Sequence, residues 1–427
     1  MRIDENEKLR GSVNRCPVTG FGREFNPFTD PYLSDPYAFW LKARASEPVF
    51  YSPELDYWVI TRYEDIKAIF ADPATFSASI AQTPVKPLAP DVLQMLQGGG
   101  FRARPTMSNA DPPAHTRVRK FAWQAFTPKR VAELEPNIRR LVTRYIDQIE
   151  SAGQADLVRQ VFYDLPVLVL FLFLGMPEDD VARVKTWSRK RLMLTWGKLS
   201  DEQQMVEAQG LLEYWKYTEA FIGSCLTDPP DNYVGDLIRV SRRNEDDLSI
   251  EEIINIVYGL LLAGHETTTS MSANAIITLM NHRHAWDRLC ADPVLIPNAA
   301  EELLRFDSSV ITWRRKAVRA VEVAGIPIPE GAKILLALCS GNRDDAHFPD
   351  PERFDIDREN ARTHLSFGFG IHYCLGAPLA RLELKVILEE LTRRLPSLRL
   401  VPNQSWEFPP NTSFRGPAHL WVEWQVA

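Results

Sequence analysis

Two short stretches hold residue types able to do chemistry. The first is Phe367-Gly-Phe-Gly-Ile-His-Tyr-Cys-Leu-Gly-Ala-Pro378, where Gly368 and Gly370 precede Cys374 and Gly376 follows it. Glycines on both sides let the backbone turn tightly and approach a flat cofactor closely. The residues from about 375 to 395 read as a helix, so Cys374 stands at a helix N-terminus. There the macrodipole and free N–H groups favour an anionic sulfur. A thiolate in that setting is a metal ligand whose electron density the same donors tune, with Phe367 shielding it from water. The plainer alternative is a buried structural cysteine beside a glycine turn.

The second stretch is Ala263-Gly-His-Glu-Thr-Thr-Thr269. Ser249-Ile-Glu-Glu252 is a capping box that opens a helix continuing to about residue 281. Such a helix spans roughly 45 Å. Glycine and consecutive threonines suit a helix interior poorly, so a local distortion is expected, with a Thr hydroxyl bonding the previous turn. It makes room for a small molecule and sets an acid, Glu266, beside an alcohol, Thr267. Taken alone, these residues also fit a solvated helix face. His265 reads as a helix residue turned toward a neighbouring element, with no chemical role.

Two further pairs have helical spacing. His115 and Arg119, after Asp111-Pro-Pro113, share one helix face, and Glu302 and Arg305 stand three apart. In isolation both are ordinary surface features.

The elements around these stretches bound the class. The chain has 427 residues, 45% apolar and 25% charged, with a net charge of −7. That is the profile of a folded globular protein rather than a disordered one, and it lacks the basic stripe of a nucleic-acid binder. Cys16, Cys225, Cys290, Cys339 and Cys374 are scattered without a CxxC pair, which argues against a disulfide framework and for a reducing cytoplasm. Met1 to Val18 is polar, unlike a signal peptide. The apolar run Leu165 to Met176 contains Pro166 and falls short of the roughly 20 residues of a membrane helix, so it reads as a buried core helix. Residues 20 to 56 read as loop and short helix, 57 to 61 as a strand, 64 to 70 as an amphipathic helix, and 78 to 108 as a long loop. Helical periodicity dominates from about 113 to 300, and strand-like runs return at 318–323, 333–337 and 420–424. The expected fold is mostly α with small β-sheets (α+β), formed by one unit over residues 1–427 without a linker.

The pattern Phe-x-x-Gly-x-His-x-Cys-x-Gly at Phe367–Gly376 resembles the haem-binding loop of the cytochrome P450 family, and the other motifs follow in that family's order. The resemblance implies haem b, iron protoporphyrin IX, with Cys374 as its axial metal ligand and Phe367 and Gly376 lining the cofactor. It assigns the haem propionates to His115, Arg119, Arg315 and His372, with Arg314 as the fallback for Arg315. It makes Glu266 and Thr267 the catalytic pair that delivers protons while O2, the co-substrate, is activated. Glu302 and Arg305 become a buried structural pair completed by Arg358, with Arg353 as the alternative.

Three segments, 48–55, 290–297 and 410–416, are similar to the haem domain of self-sufficient members fused to a reductase. Without a reductase after Ala427, the expected relatives are stand-alone enzymes, some of which oxidise thiocarbamates and other xenobiotics. Electrons would then come from NAD(P)H through a flavin-dependent ferredoxin reductase and a ferredoxin, docked on Arg117, Lys120 and Arg381. No membrane or nucleic-acid partner is expected, and the protein should be a monomer. Trp196, Leu262, Ala263, Val310, Ile311 and Phe414, with Thr412, Ser413 and the 78–108 loop, are the expected pocket walls for a small apolar, aromatic or alkyl substrate. The reaction would be hydroxylation or O- or N-dealkylation. The competing readings are a peroxide-driven peroxygenase, which generally lacks the acid–alcohol pair, and a haem sensor, which has no need of a proton relay.

Overall fold

A computed structural model describes residues 20–124 and 126–426; the polar N-terminal stretch and Cys16 lie outside them. Helices dominate, and nine carry the argument: α1 (Tyr63–Ala71), α2 (Ala114–Trp123), α3 (Leu165–Leu174), α4 (Val181–Trp196), α5 (Asp201–Cys225), α6 (Ile250–Ala263), α7 (Glu266–Asn281), α8 (Ile296–Phe306) and α9 (Ala377–Arg394). Among the described residues ten strands make three small sheets. The largest holds β1 (Val49–Ser52), β2 (Tyr57–Ile60), β3 (Phe76–Ser77), β5 (Trp313–Ala317) and β8 (Lys333–Leu336), in the order β1-β2-β8-β5-β3. Only β2 and β8 run parallel, with Trp58 opposite Ile334. The second sheet joins β4 (Gln154–Asp156), β10 (Trp421–Glu423) and β9 (Arg399–Leu400), and the third is the hairpin β6 (Val321–Val323) with β7 (Ile326–Ile328).

The largest apolar core lies among the helices, and α3 runs through it with every residue buried except Leu172. That explains the uninterrupted apolar run: a helix surrounded on all sides needs no polar face. Among the described residues no helix is long and apolar enough to cross a membrane. Cys225, Cys290, Cys339 and Cys374 are free thiols.

The structure departs from the sequence reading in places with clear causes. The 78–108 segment contains a nine-residue helix, Pro90–Gly98, opened by a proline at its first position. Residues 20–56 hold the strand β1 besides helices, because Val49 to Ser52 pair antiparallel with Ile60 to Tyr57. The strand β5 was concealed by its composition: two of its three buried residues, Arg314 and Arg315, are arginines, so it shows no apolar alternation.

The pair Glu302–Arg305 is fully buried, with Arg305 Nε 2.6 Å from Glu302 Oε2. Arg358 joins it, its Nε donating to Glu302 Oε1 at 3.2 Å. Arg353 contributes only its backbone carbonyl, which accepts from Arg305 and Arg358, while its side chain reaches out to Asp355. From this cluster the order passes to the cysteine loop. Arg305 Nη1 donates to the Asn342 carbonyl at 2.9 Å. The Asn342 side chain accepts from Leu365 N at 2.6 Å and donates to Ser366 Oγ at 2.8 Å. Ser366 Oγ in turn donates to the Leu304 carbonyl at 2.7 Å. Removing one partner of a buried ion pair leaves a dry, unpaired charge. Glu302→Ala should therefore lower unfolding stability by about 3–5 kcal/mol in denaturant titrations, whereas Arg353→Ala should cost under about 0.5 kcal/mol. Equal losses would contradict the arrangement.

Candidate active site

The cysteine loop is shaped by Gly368 and Gly370, both at positive φ (71° and 72°). A side chain at Gly370 would place its Cβ 2.5 Å from the Phe70 carbonyl oxygen at the end of α1, so only glycine fits. The loop closes where Cys374 N donates to the Phe367 carbonyl at 2.9 Å. Helix α9 then starts at Ala377 with Gly376 as its N-cap. Burial pushes the Cys374 thiol up; the N–H groups of Gly376 and Ala377 and the cations Arg119 and Arg381 pull it back down. Burial outweighs them, so the thiol stays above its ordinary value until a metal takes the proton's place. Phe367 lies under the Arg381 guanidinium, 4.7 Å from its ring centroid. Arg381 is fixed by Glu301 at 2.7 and 3.0 Å and by Tyr373 Oη at 3.0 Å. Although burial opposes it, His364 and Arg381 hold Glu301 down at about 2.

Beside this loop the structure gathers His115, Arg119, Arg315 and His372. The imidazoles of His115 and His372 approach to 4.2 Å between centroids, and His372 Nδ1 lies 3.0 Å from the Met107 carbonyl. Arg119 donates to the Tyr373 carbonyl. Arg315 donates to the Arg314 carbonyl at 2.8 Å and rests 4.8 Å over the Phe70 ring. Both ring nitrogens of His115, Nε2 of His372 and Nη2 of Arg315 are buried without a hydrogen-bond partner. Burial, then Arg119, lowers His115 to about 4, and burial, then Arg315, lowers His372 to about 3. Both imidazoles are thus neutral at pH 7, while burial lowers Arg315 only to about 10. Buried donors without acceptors are costly, and two guanidiniums at one spot call for anionic oxygen. Arg314 faces elsewhere, donating to the Thr83 and Ala81 carbonyls at 2.6 and 2.9 Å.

The long helix expected across residues 249–281 is in fact two. The capping box of α6 is present, with Ser249 Oγ accepting from Glu252 N at 3.2 Å and Ser249 N donating to Glu252 Oε2 at 2.9 Å. The interruption falls at Gly264 and His265, whose φ of −123° is not helical. A Cβ on Gly264 would meet Leu170 of α3 at 3.1 Å. Thr267 and Thr268 hydroxyls donate to the Ala263 and Gly264 carbonyls, at 2.8 and 3.4 Å, so the threonines satisfy acceptors that the break exposes. Glu266 opens α7 next to Thr267. The structure adds His265, which the sequence reading gave no role. Its ring is wholly buried, with Nε2 3.2 Å from Glu266 Oε1.

Of the expected pocket residues, Trp196, Leu262 and Phe414 form one apolar cluster with Leu192, Met193 and Trp313. Trp196 meets Phe414 edge-on at 4.8 Å and Trp313 at 6.3 Å. Val310 bridges to Phe414 through the backbone, and Ala263 is exposed. Ile311 is a correction: it packs in the N-terminal core with Phe25, Trp40 and Phe50, as neighbouring residues of an extended chain point to opposite sides. The reading missed Trp313, although its place two residues before Arg315 puts both on one face of β5.

Among the described residues no group of three or more His, Cys, Asp or Glu could hold a bare metal ion. A metal at Cys374 therefore needs its other ligands from a prosthetic group, and the orphaned donors nearby suit one with carboxylate arms. The cytochrome P450 family model matches residues 294–413. Mycinamicin IV hydroxylase/epoxidase of Micromonospora griseorubida is 36% identical over 371 residues, covering 86% of this chain and 89% of that protein. The chain belongs to the cytochrome P450 family. The solved cytochrome P450 CREJ, in complex with (4-ethylphenyl) dihydrogen phosphate, superimposes with a TM-score of 0.92 at 40% identity, covering 95% of this chain and all (100%) of that one. An intact type IV self-sufficient cytochrome P450 monooxygenase gives a TM-score of 0.93 at 41% identity; it covers 96% of this chain, which spans only 54% of that longer one. As a member of the family the protein is a haem b-dependent oxidoreductase of the monooxygenase class that uses O2.

His115→Phe and Arg315→Leu should each remove about 1.5–3 kcal/mol of charge-assisted binding. Haem transfer to an excess of apomyoglobin should accelerate roughly 10- to 100-fold in each, and unaltered transfer rates would rule out the anchoring assignment.

Proposed function

We propose that this cytochrome P450 hydroxylates or O- or N-dealkylates a small, neutral, apolar substrate, with Cys374 as the residue that would hold the haem iron and Glu266 and Thr267 as the proton relay. The observation that carries it is the set of unpartnered buried nitrogens on His115, His372 and Arg315 beside the Cys374 loop. These residues and Arg119 would hold the two propionates, and Gly376 leaves the space next to the sulfur free, its added Cβ meeting only Sγ at 4.0 Å. When bound, the haem supplies reductive activation of oxygen at a thiolate-ligated iron.

The chain's own residues then have separable tasks. The Gly376 and Ala377 N–H groups hold the charge on sulfur. Thr267 Oγ1, now donating to the Ala263 carbonyl, keeps its lone pairs free to accept a proton and pass one on. Glu266, one-fifth exposed (21%), can draw protons from water. The same pair favours a turnover enzyme over a peroxide-driven form or a sensor. Trp196, Trp313 and Phe414 supply an aromatic wall that excludes water. The ethylphenyl phosphate bound by CREJ supports an aromatic substrate. Here the Arg314 guanidinium, 5.5 Å over Trp196, is committed to backbone carbonyls, which favours a neutral ring over a phosphate ester.

We further propose electron delivery by a ferredoxin served by a flavin-dependent reductase that draws on NAD(P)H, in the reducing cytoplasm. Arg117 and Arg381 are already neutralised by Glu252 and Glu301, whereas Lys120 is exposed and lies over the ring of its own neighbour Phe121, which favours it as the docking cation.

Thr267→Ala should cut product formed per NAD(P)H by about tenfold or more, with the missing equivalents recovered as hydrogen peroxide; unchanged coupling would exclude the relay. Lys120→Glu should slow reduction by ferredoxin several-fold and flatten its salt dependence, as rim charges act on association. A rate and salt slope equal to wild type would remove Lys120 from the docking face. Phe414→Ala should weaken binding of a small aromatic ligand by about 0.5–1.5 kcal/mol, read from spin-state titration.

A further inference from the structure

Glu266 does not stand alone. It is the first residue of α7, directly after the helix break, and His265 supplies the contact at 3.2 Å from Nε2 to Oε1. The His265 ring has zero exposure, and neither of its nitrogens finds a well-aligned hydrogen-bond partner. Burying an imidazole costs free energy that a leucine of similar size would not, and the polar groups acting on it include the Glu266 carboxylate and the Leu261 backbone. Across from this pair, on α4, Lys185 is entirely buried. Its ammonium sits 3.7 Å over the Tyr163 ring and donates to the Tyr163 carbonyl. Arg189, one turn further along α4, adds a third cationic or donor group acting on Glu266.

We infer that His265 and Lys185 are positioning residues that pin the Glu266 carboxylate as an anion at the helix break, ready to take up a proton from water. The inference rests on the relay reading of Glu266 and names what sets its charge and direction. The helix break is what makes it work. The non-helical backbone at His265 brings adjacent side chains together, which an unbroken helix would splay by about 100°. The field of the α7 N-terminus adds to the preference for a negative group.

The balance of charges agrees. Burial works against ionisation of Glu266, but the His265 contact and the charges of Lys185 and Arg189 lower it below its usual range. Burial lowers Lys185 to about 8, with Glu266 and Asp164 holding it up against Arg159. The other titratable groups acting on this cluster are Tyr163 and Asp164 on the segment before α3, and Tyr214 on α5. Removing either positioning residue leaves burial less opposed, so the folded-state midpoint of Glu266 must rise.

Infrared difference titration of the purified ferric holoenzyme reads this midpoint without turnover, with Glu266→Gln assigning the carboxyl band. In wild type the Glu266 midpoint should lie below the ordinary carboxylate range. In His265→Leu and in Lys185→Met the protonated band should appear at least about one unit higher, a tenfold change in the ionisation ratio. His265→Gln, whose amide keeps a donor, should stay close to wild type. The Lys185→Met protein decides the matter if His265→Leu does not fold. An unmoved midpoint in the folded variants overturns the positioning roles. Unchanged coupling in Glu266→Gln overturns the relay instead, leaving the midpoint shifts in place, so the two failures are told apart.

Discussion

On the proposed reading, a sulfur that must bind iron as an anion is the constraint on which the rest of this structure depends. Dehydration alone would protonate Cys374, and the chain opposes it with the two N–H groups at the start of α9 and with the guanidiniums of Arg119 and Arg381. Each of these is fixed by something else: Arg381 by Glu301 and Tyr373, Arg119 by the Tyr373 carbonyl. The loop backbone is held in turn by Asn342 and Ser366, which inherit their positions from the Glu302–Arg305–Arg358 cluster. The buried ion pairs therefore matter less for their own energy, which desolvation largely offsets, than for the geometry they transmit. Arg305 and Arg358 each combine a carboxylate with several carbonyls, a task suited to the rigid guanidinium fork.

The second half of the site solves the opposite problem. The proposed relay needs polar groups free to pass protons, whereas a continuous helix would satisfy every carbonyl within it. Interrupting the helix at Gly264 and His265 frees the carbonyls of Ala263 and Gly264, which two threonine hydroxyls then cap. The residues that break the helix thus stand directly before the proposed relay pair, Glu266 and Thr267. Local departure from helix propensity marks the working part of the element.

Much of this was legible in the sequence, and the parts that were not share a cause. The cysteine loop, the capping box at Ser249, α3 as a core helix and the spacing of Glu302 and Arg305 are local signals, readable from neighbouring residues. Arg358 was preferred with Arg353 kept as the alternative, because both lie near the loop and only the fold shows which side chain turns inward. β5 was missed because buried arginines imitate a surface segment. Ile311 was placed in the pocket because adjacency in sequence was taken for adjacency in space. His265 was passed over for a related reason: its partner is its immediate neighbour, a pairing that a regular helix forbids and a broken one permits. Lys185 carried no local mark, since only the packing of α4 against the break reveals that its ammonium is buried.

The account stands on Cys374 ligating the haem iron as a thiolate. The absorption spectrum of the reduced, carbon monoxide-bound protein tests that most directly. The strongly red-shifted Soret band of thiolate ligation should appear in the wild-type protein and vanish in Cys374→Ser. A wild-type spectrum without that band, or a Cys374→Ser protein that retains it, would contradict the account.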